Sequence, residues 1–113
     1  MPSYLVLFSL TSDALARFVD TPSDRRTAES RLAESAGGKL VSYYWMLGQY
    51  DGMMIFDCPD AASMESLSIT ATSSGAYDKF ETHELIGAEN LVKILEKARS
   101  LRPHYKPPGQ VAT

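Results

Sequence analysis

Apolar and polar positions along this chain fall into short blocks separated by Gly, Pro, Ser, Thr and Asp clusters. Tyr4 to Ser9 reads Tyr-Leu-Val-Leu-Phe-Ser, a compact apolar stretch of strand formers, and predicts a buried strand. Thr11, Ser12 or Asp13 then offers a cap for a short helical turn through Ala14–Val19. Thr21-Pro22 has the form of a helix start, with proline one residue inside a threonine cap. The predicted helix runs to about Ala36. Ala28, Leu32 and Ala36 make its narrow buried stripe, and Arg25, Arg26, Glu29 and Ser30 lie outside that stripe. Gly37-Gly38 closes the helix.

Lys39 to Leu47 is dominated by aromatic and β-branched residues and predicts a second strand. Gly48-Gln49-Tyr50-Asp51-Gly52 is a turn cluster, and Met53 to Asp57 completes a hairpin. Asp60 is a good cap for a helix over Ala61 to about Ser73, with Met64, Leu67 and Ala71 at helical spacing. Tyr77 to Leu85 alternates roughly and predicts a fourth strand. Gly87-Ala88-Glu89 then opens a last helix to about Arg99, its apolar face carrying Leu91, Ile94, Leu95 and Ala98. The order is βαββαβ with an added C-terminal helix, a ferredoxin-like α+β fold. Helices cover one sheet face, so the other needs a second layer, which a homo-oligomer supplies.

Composition narrows the classes. At 113 residues, 44% hydrophobic and 22% charged, the chain is one ordinary soluble domain. We read residues 1–100 as that domain and 101–113 as a proline-rich basic tail. The tail is either a partly disordered end or an arm that wraps an acidic partner subunit or covers a pocket. No apolar run approaches a membrane span, and no basic segment precedes the first apolar stretch. A formal charge of −3 argues against a broad nucleic-acid surface. Cys58 stands alone, which leaves no internal disulfide and no multi-cysteine zinc site. The expectation is a cytoplasmic protein without nucleic-acid or membrane partners. No phosphate loop, Gly-x-Gly-x-x-Gly or Gly-x-Ser-x-Gly string occurs, so no cofactor or metal is expected.

The Gly48-Gln49-Tyr50-Asp51 turn, in the context of Tyr4-Leu5-Val6-Leu7, Gly37-Gly38-Lys39, Tyr43-Tyr44-Trp45-Met46-Leu47 and Pro59-Asp60, resembles the GYD-domain family over about residues 3–90. The resemblance implies a dimeric α+β barrel, in which two ferredoxin-like protomers pack their open sheet faces together. It also implies a small cavity between sheet and helices or near the barrel mouth. Relatives in that wider group include cofactor-independent monooxygenases, lactone isomerases, polyketide cyclases, haem-degrading enzymes and amino-acid-sensing domains, so the reaction is left open. At strand four the chain departs from the family pattern, reading Lys79-Phe80-Glu81-Thr82-His83-Glu84-Leu85.

Several residues invite a chemical role. Tyr77, Lys79, Glu81 and His83 share one strand face by period-two spacing. His83 suits proton transfer near neutral pH, with Glu81 to orient it; the alternative is a solvated face on an edge strand. Asp51 either fixes the hairpin by bonding backbone groups or, with Tyr50, meets a ligand at the cavity mouth. Tyr43, Tyr44 and Trp45 give rings to both strand faces, as core, dimer interface or aromatic wall. The expected catalytic set is His83, Glu81 and Asp51. The expected substrate-binding set is Tyr4, Tyr44, Trp45, Tyr50 and Lys79, in a cofactor-independent enzyme of isomerase, cyclase or monooxygenase type that does proton-transfer chemistry on an aromatic, lactone or polyketide-like small molecule. A non-catalytic metabolite-binding or dimerisation module is the alternative.

Overall fold

A computed structural model describes residues 1–110 as α+β. The elements are β1 (Ser3–Leu10), α1 (Ser12–Asp20), α2 (Arg25–Ser35), β2 (Lys39–Trp45), β3 (Gly52–Asp57), α3 (Ala61–Thr72), β4 (Tyr77–Leu85) and α4 (Leu91–Leu101). Short 3-10 turns flank α4 at Ala88–Asn90 and Arg102–His104. The four strands form one antiparallel sheet in the order β2-β3-β1-β4, the ferredoxin-like arrangement expected.

One face of the sheet is covered. Tyr4, Val6 and Phe8 of β1 and Met54 and Phe56 of β3 meet Ala33 of α2 and Met64 and Leu67 of α3 in a single core that includes Cys58. Burial pushes the Cys58 thiol up, as suits a small core residue. The other face carries Leu5, Leu7, Met53 and Ile55, all half-buried, beside the exposed Tyr44, Lys79, Glu81, His83 and Leu85. Among the described residues nothing is packed over this open face.

The helix boundaries follow their caps. Thr11 caps α1, accepting from the Ala14 N–H at 3.2 Å. α2 departs from expectation. Thr21 ends α1, and Asp24 starts α2, its carboxylate accepting from the Arg26 N–H at 3.0 Å and from the Thr27 hydroxyl at 2.9 Å. A carboxylate engages two donors at once, which a threonine hydroxyl on the preceding turn does not match. The inward stripe shifts accordingly. Ala28 is exposed, Leu32 and Ala36 are half-buried, and Glu29 and Ala33 are buried. Gly37, at φ +81°, closes α2 in the left-handed region that glycine occupies without strain. Asp60 caps α3 as expected, accepting from the Ser63 N–H at 2.8 Å.

β4 holds a second correction. Its register against β1 slips between Ser9 and Leu10, with Ser9 opposite Lys79 and Leu10 opposite Tyr77. The extra residue turns Tyr77 to the helix side, while Lys79, Glu81 and His83 stay on the open face. Tyr77 therefore does not share their face.

α4 buries no residue and points away from the domain. The described chain measures 64 × 31 × 24 Å, with a radius of gyration of 18.7 Å. A compact domain of this size has about 13 Å. The expected tail beginning at residue 101 is helical at Leu101 and turns through Arg102–His104. Its last residues, 111–113, lie outside the described residues. No helix among the described residues is long and apolar enough to cross a membrane.

Candidate functional site

A concavity lies on the helix side, where β1, α1, the α1–α2 connection, α2, β2 and the end of α3 converge with the start of β4. It is about 510 Å³. Phe8 is its aromatic centre. Tyr43, Trp45 and Tyr77 meet the Phe8 ring edge-on, with centroids 6.1, 5.3 and 5.7 Å away. Such perpendicular pairs add about 0.5–1.5 kcal/mol each beyond the area they bury. Period-two alternation puts Tyr43 and Trp45 on this side of β2 and Tyr44 on the other, so the expectation of rings on both faces holds.

The charged groups of the cavity come from α1 and α2. Glu29 is only 3% exposed. Its Oε1 accepts from the half-exposed Arg25 Nη2 at 3.0 Å and from the Tyr77 hydroxyl at 3.3 Å. Arg25 and Glu29 are one helical turn apart, and continuing that spacing reaches Leu32, Ala33 and Ala36. The pair thus belongs to the inward stripe. Arg17 lines the same space from the last turn of α1.

Burial raises the Tyr77 phenol to about 12, helped by the Glu29 carboxylate. Burial likewise pushes Tyr43 above its ordinary value, again with Glu29 adding to it and Arg25 opposing. Desolvation, the largest single influence, would lower Arg25, but the Glu29 carboxylate together with the Tyr77 and Tyr43 phenols holds the guanidinium above its ordinary value. The cavity therefore presents fixed positive charge, a carboxylate paired through one oxygen and phenols that stay protonated.

Of the expected site residues, Trp45 lines this cavity. Tyr4 does not: it sits in the core at the start of β1, its hydroxyl buried without a hydrogen-bond partner among the described residues. Burial, and then the neighbouring Glu84 carboxylate, raise its pKa. Tyr50, Lys79 and Glu81 come together on the open face. The Tyr50 hydroxyl donates to the Glu81 carboxylate, and the Lys79 ammonium lies 5.8 Å from the Tyr50 ring centre. His83 stands on the same face opposite Leu5, exposed on an edge strand. Tyr44 is exposed there too.

Asp51 stitches the hairpin loop to β1. Its Oδ2 accepts from the Leu10 N–H at 2.8 Å, its own N–H donates to the Phe8 carbonyl at 2.8 Å, and its carbonyl accepts from the Met46 N–H at 2.9 Å. Gly52 follows because Phe8 leaves no room: a Cβ there would stand 2.6 Å from the Phe8 ring and 2.7 Å from the Tyr44 carbonyl oxygen. The motif thus ties β2, β3 and β1 together beside the cavity. Among the described residues no three His, Cys, Asp or Glu side chains gather as a metal site.

Arg17, Arg25, Glu29 and Tyr77 were missed as site residues by the sequence reading. Arg25 and Glu29 carried one usable signal, opposite charges spaced i,i+4 in line with Leu32 and Ala36. Arg17 and Tyr77 carried none, since only the fold brings them to the pair.

The fold and cavity define a ferredoxin-like α+β domain with a lined pocket between sheet and helices. Residues 4–95 match the GYD domain, and the chain belongs to that family. It is 29% identical over 96 residues to a Thermus thermophilus protein described as "Glutamine synthetase and cystathionine beta-lyase binding protein", covering 85% of this chain and all of that one. The crystal structure of TTHA0845, also from Thermus thermophilus, superposes with a TM-score of 0.51 at 16% identity, over 78% of this chain and 96% of the other. That likeness concerns the fold.

Proposed function

We propose that this protein is a non-catalytic binding module that holds a small molecule in the helix-side cavity and docks on a metabolic enzyme. The observation that carries the reading is the set of charged and phenolic groups placed in the cavity's largely apolar lining. Arg17, Arg25, the paired Glu29 and two phenols held above their ordinary range can bind and orient a ligand. Histidine, the usual proton-transfer group near pH 7, is not among them. Docking on an enzyme is supported by the Thermus thermophilus relative, whose whole length this chain covers. The test is gel filtration of the full chain with purified glutamine synthetase and with purified cystathionine β-lyase. Co-elution with either enzyme is expected; separate elution from both at tens of micromolar overturns the docking role.

A second copy of the chain is the proposed cover for the open sheet face. Residues 1–90 carry six basic and thirteen acidic side chains, while the remainder carries five basic and one acidic. The apolar, basic α4 of one protomer therefore complements the acidic body of another. A second reading, proton transfer by His83 with Glu81 and Asp51, draws on the Tyr50–Glu81–Lys79 cluster two residues from His83. It requires the open face to be closed into a pocket, and a monomeric protein would rule it out.

A further inference from the structure

We infer that the cavity takes a monoanionic ligand with an aromatic body, an aromatic carboxylate, whose headgroup is held by Arg17 and Arg25 and whose ring lies against Tyr43, Trp45 and Tyr77. This deepens the binding reading above and rests on it.

The charge balance points to an anion. Three charged side chains line the space, two guanidinium groups and one carboxylate, which leaves one net positive charge. The Glu29 charge is offset by Arg25, and its Oε1 receives both Arg25 and Tyr77. Arg25 spends one Nη on that contact, and a guanidinium has five N–H donors. Arg17 makes no ion pair among the described residues. Both arginines flank the Thr21–Asp24 connection, Arg17 in the last turn of α1 and Arg25 at the first residue of α2. Both therefore line the cavity from the side of that connection, and planar forked donors match a carboxylate.

The body of the ligand follows from the walls. Tyr43, Trp45 and Tyr77, seated on the buried Phe8, and Phe18 beside Trp45 give the cavity an aromatic wall next to the aliphatic Leu10 and Leu32. Aromatic guests gain from the offset and edge-on contacts such rings offer. The volume of about 510 Å³ falls within the range of roughly 300–1,000 Å³ usual for small-molecule sites. One surplus positive charge in a largely apolar lining does not suit a multiply charged phosphate ester, and the same surplus repels amines.

Trp45 is the chain's single tryptophan and lines the cavity, so it reports occupancy. The experiment titrates the full chain with 3-phenylpropanoate, its neutral amide and 3-phenylpropylamine, following Trp45 fluorescence and the thermal midpoint. The acid should bind about tenfold or more tighter than the amide, and the amine more weakly than either. Arg17→Gln and Arg25→Gln should each shrink the acid-to-amide ratio; Arg17→Gln keeps the test available should loss of Arg25 impair folding. Equal affinity for acid and amide, tighter binding of the amine, or no response to any of the three overturns the proposal. If the chain still co-elutes with a partner enzyme in that case, only the ligand class falls. If it does neither, the binding reading falls with it.

Discussion

Arg25 and Glu29 show how one interaction serves both folding and binding. Glu29 is the more deeply buried partner, so the two truncations are not equivalent. Arg25→Gln leaves a buried carboxylate with only the Tyr77 hydroxyl to solvate it. It should cost roughly 1–3 kcal/mol, below the 3–5 typical of fully buried pairs because Arg25 is half-exposed. Glu29→Gln removes the charge but keeps an acceptor for Tyr77, and Arg25 can turn to water. About 1 kcal/mol or less is expected. Urea unfolding of both variants checks the order; a larger loss for Glu29→Gln would mean the pair does not carry the local stability. Asp51 lives at the same scale. Its carboxylate, which accepts from the Leu10 N–H, explains why an acidic residue stands in this turn; its other two bonds are main-chain and ask nothing of the side chain.

Among the elements, α2 and α3 each begin on an aspartate. The Ser63 N–H holds the Asp60 carboxyl below its ordinary range, and the Thr27 hydroxyl with the Arg26 N–H does the same for Asp24. A depressed carboxyl stabilises the fold above its unfolded pKa of about 3.9, and that contribution disappears as pH falls through the folded value. The protein should therefore lose stability below about pH 4 through these caps. Asp60→Asn keeps the acceptor and removes its share of the acid sensitivity. Thermal midpoints at pH 7 and pH 3 measure it: the gap between them should narrow in the variant, and an unchanged gap would show that Asp60 does not contribute. β4 owes its two-sided character to the slip at Ser9 and Leu10. Without the extra residue Tyr77 would face away from Glu29 and Phe8, and the cavity would lose a wall.

At the scale of the molecule, exposed apolar side chains include those of the open sheet face and a row along α4. Leu91, Ile94, Leu95 and Leu101 are all at least two-fifths exposed, an arrangement that marks an interaction surface. We expect the full chain to sediment as a dimer at micromolar concentration. A chain ending at Gly87 should keep its thermal midpoint within a few degrees, because α4 buries nothing on its own domain, but it should dimerise more weakly. Analytical ultracentrifugation of both forms decides this; a full-length monomer would remove the second copy as the cover of the open face.

Much of the architecture was legible in one chain. Strand formers between Gly, Pro and Asp clusters specified four strands, and Asp60 and Gly37 marked helix ends through local hydrogen bonding and backbone freedom. The resemblance carried by the Gly-x-Tyr-Asp turn matched the family to which the chain belongs. What the sequence could not disclose depends on neighbours distant along the chain. Thr21-Pro22 has the local form of a helix start, but the carboxylate of Asp24 captures the donors of α2. A one-residue slip between β1 and β4, invisible to period-two reasoning, decides which face receives Tyr77. The cavity itself exists only because α1, α2 and α3 converge over Phe8 from separate parts of the chain. Arg17, Arg25, Glu29 and Tyr77 look like ordinary surface residues until that convergence buries the carboxylate and gives it partners. Local spacing thus determined which elements form, whereas packing between elements determined which charged groups were drawn out of water and so where a ligand can be held.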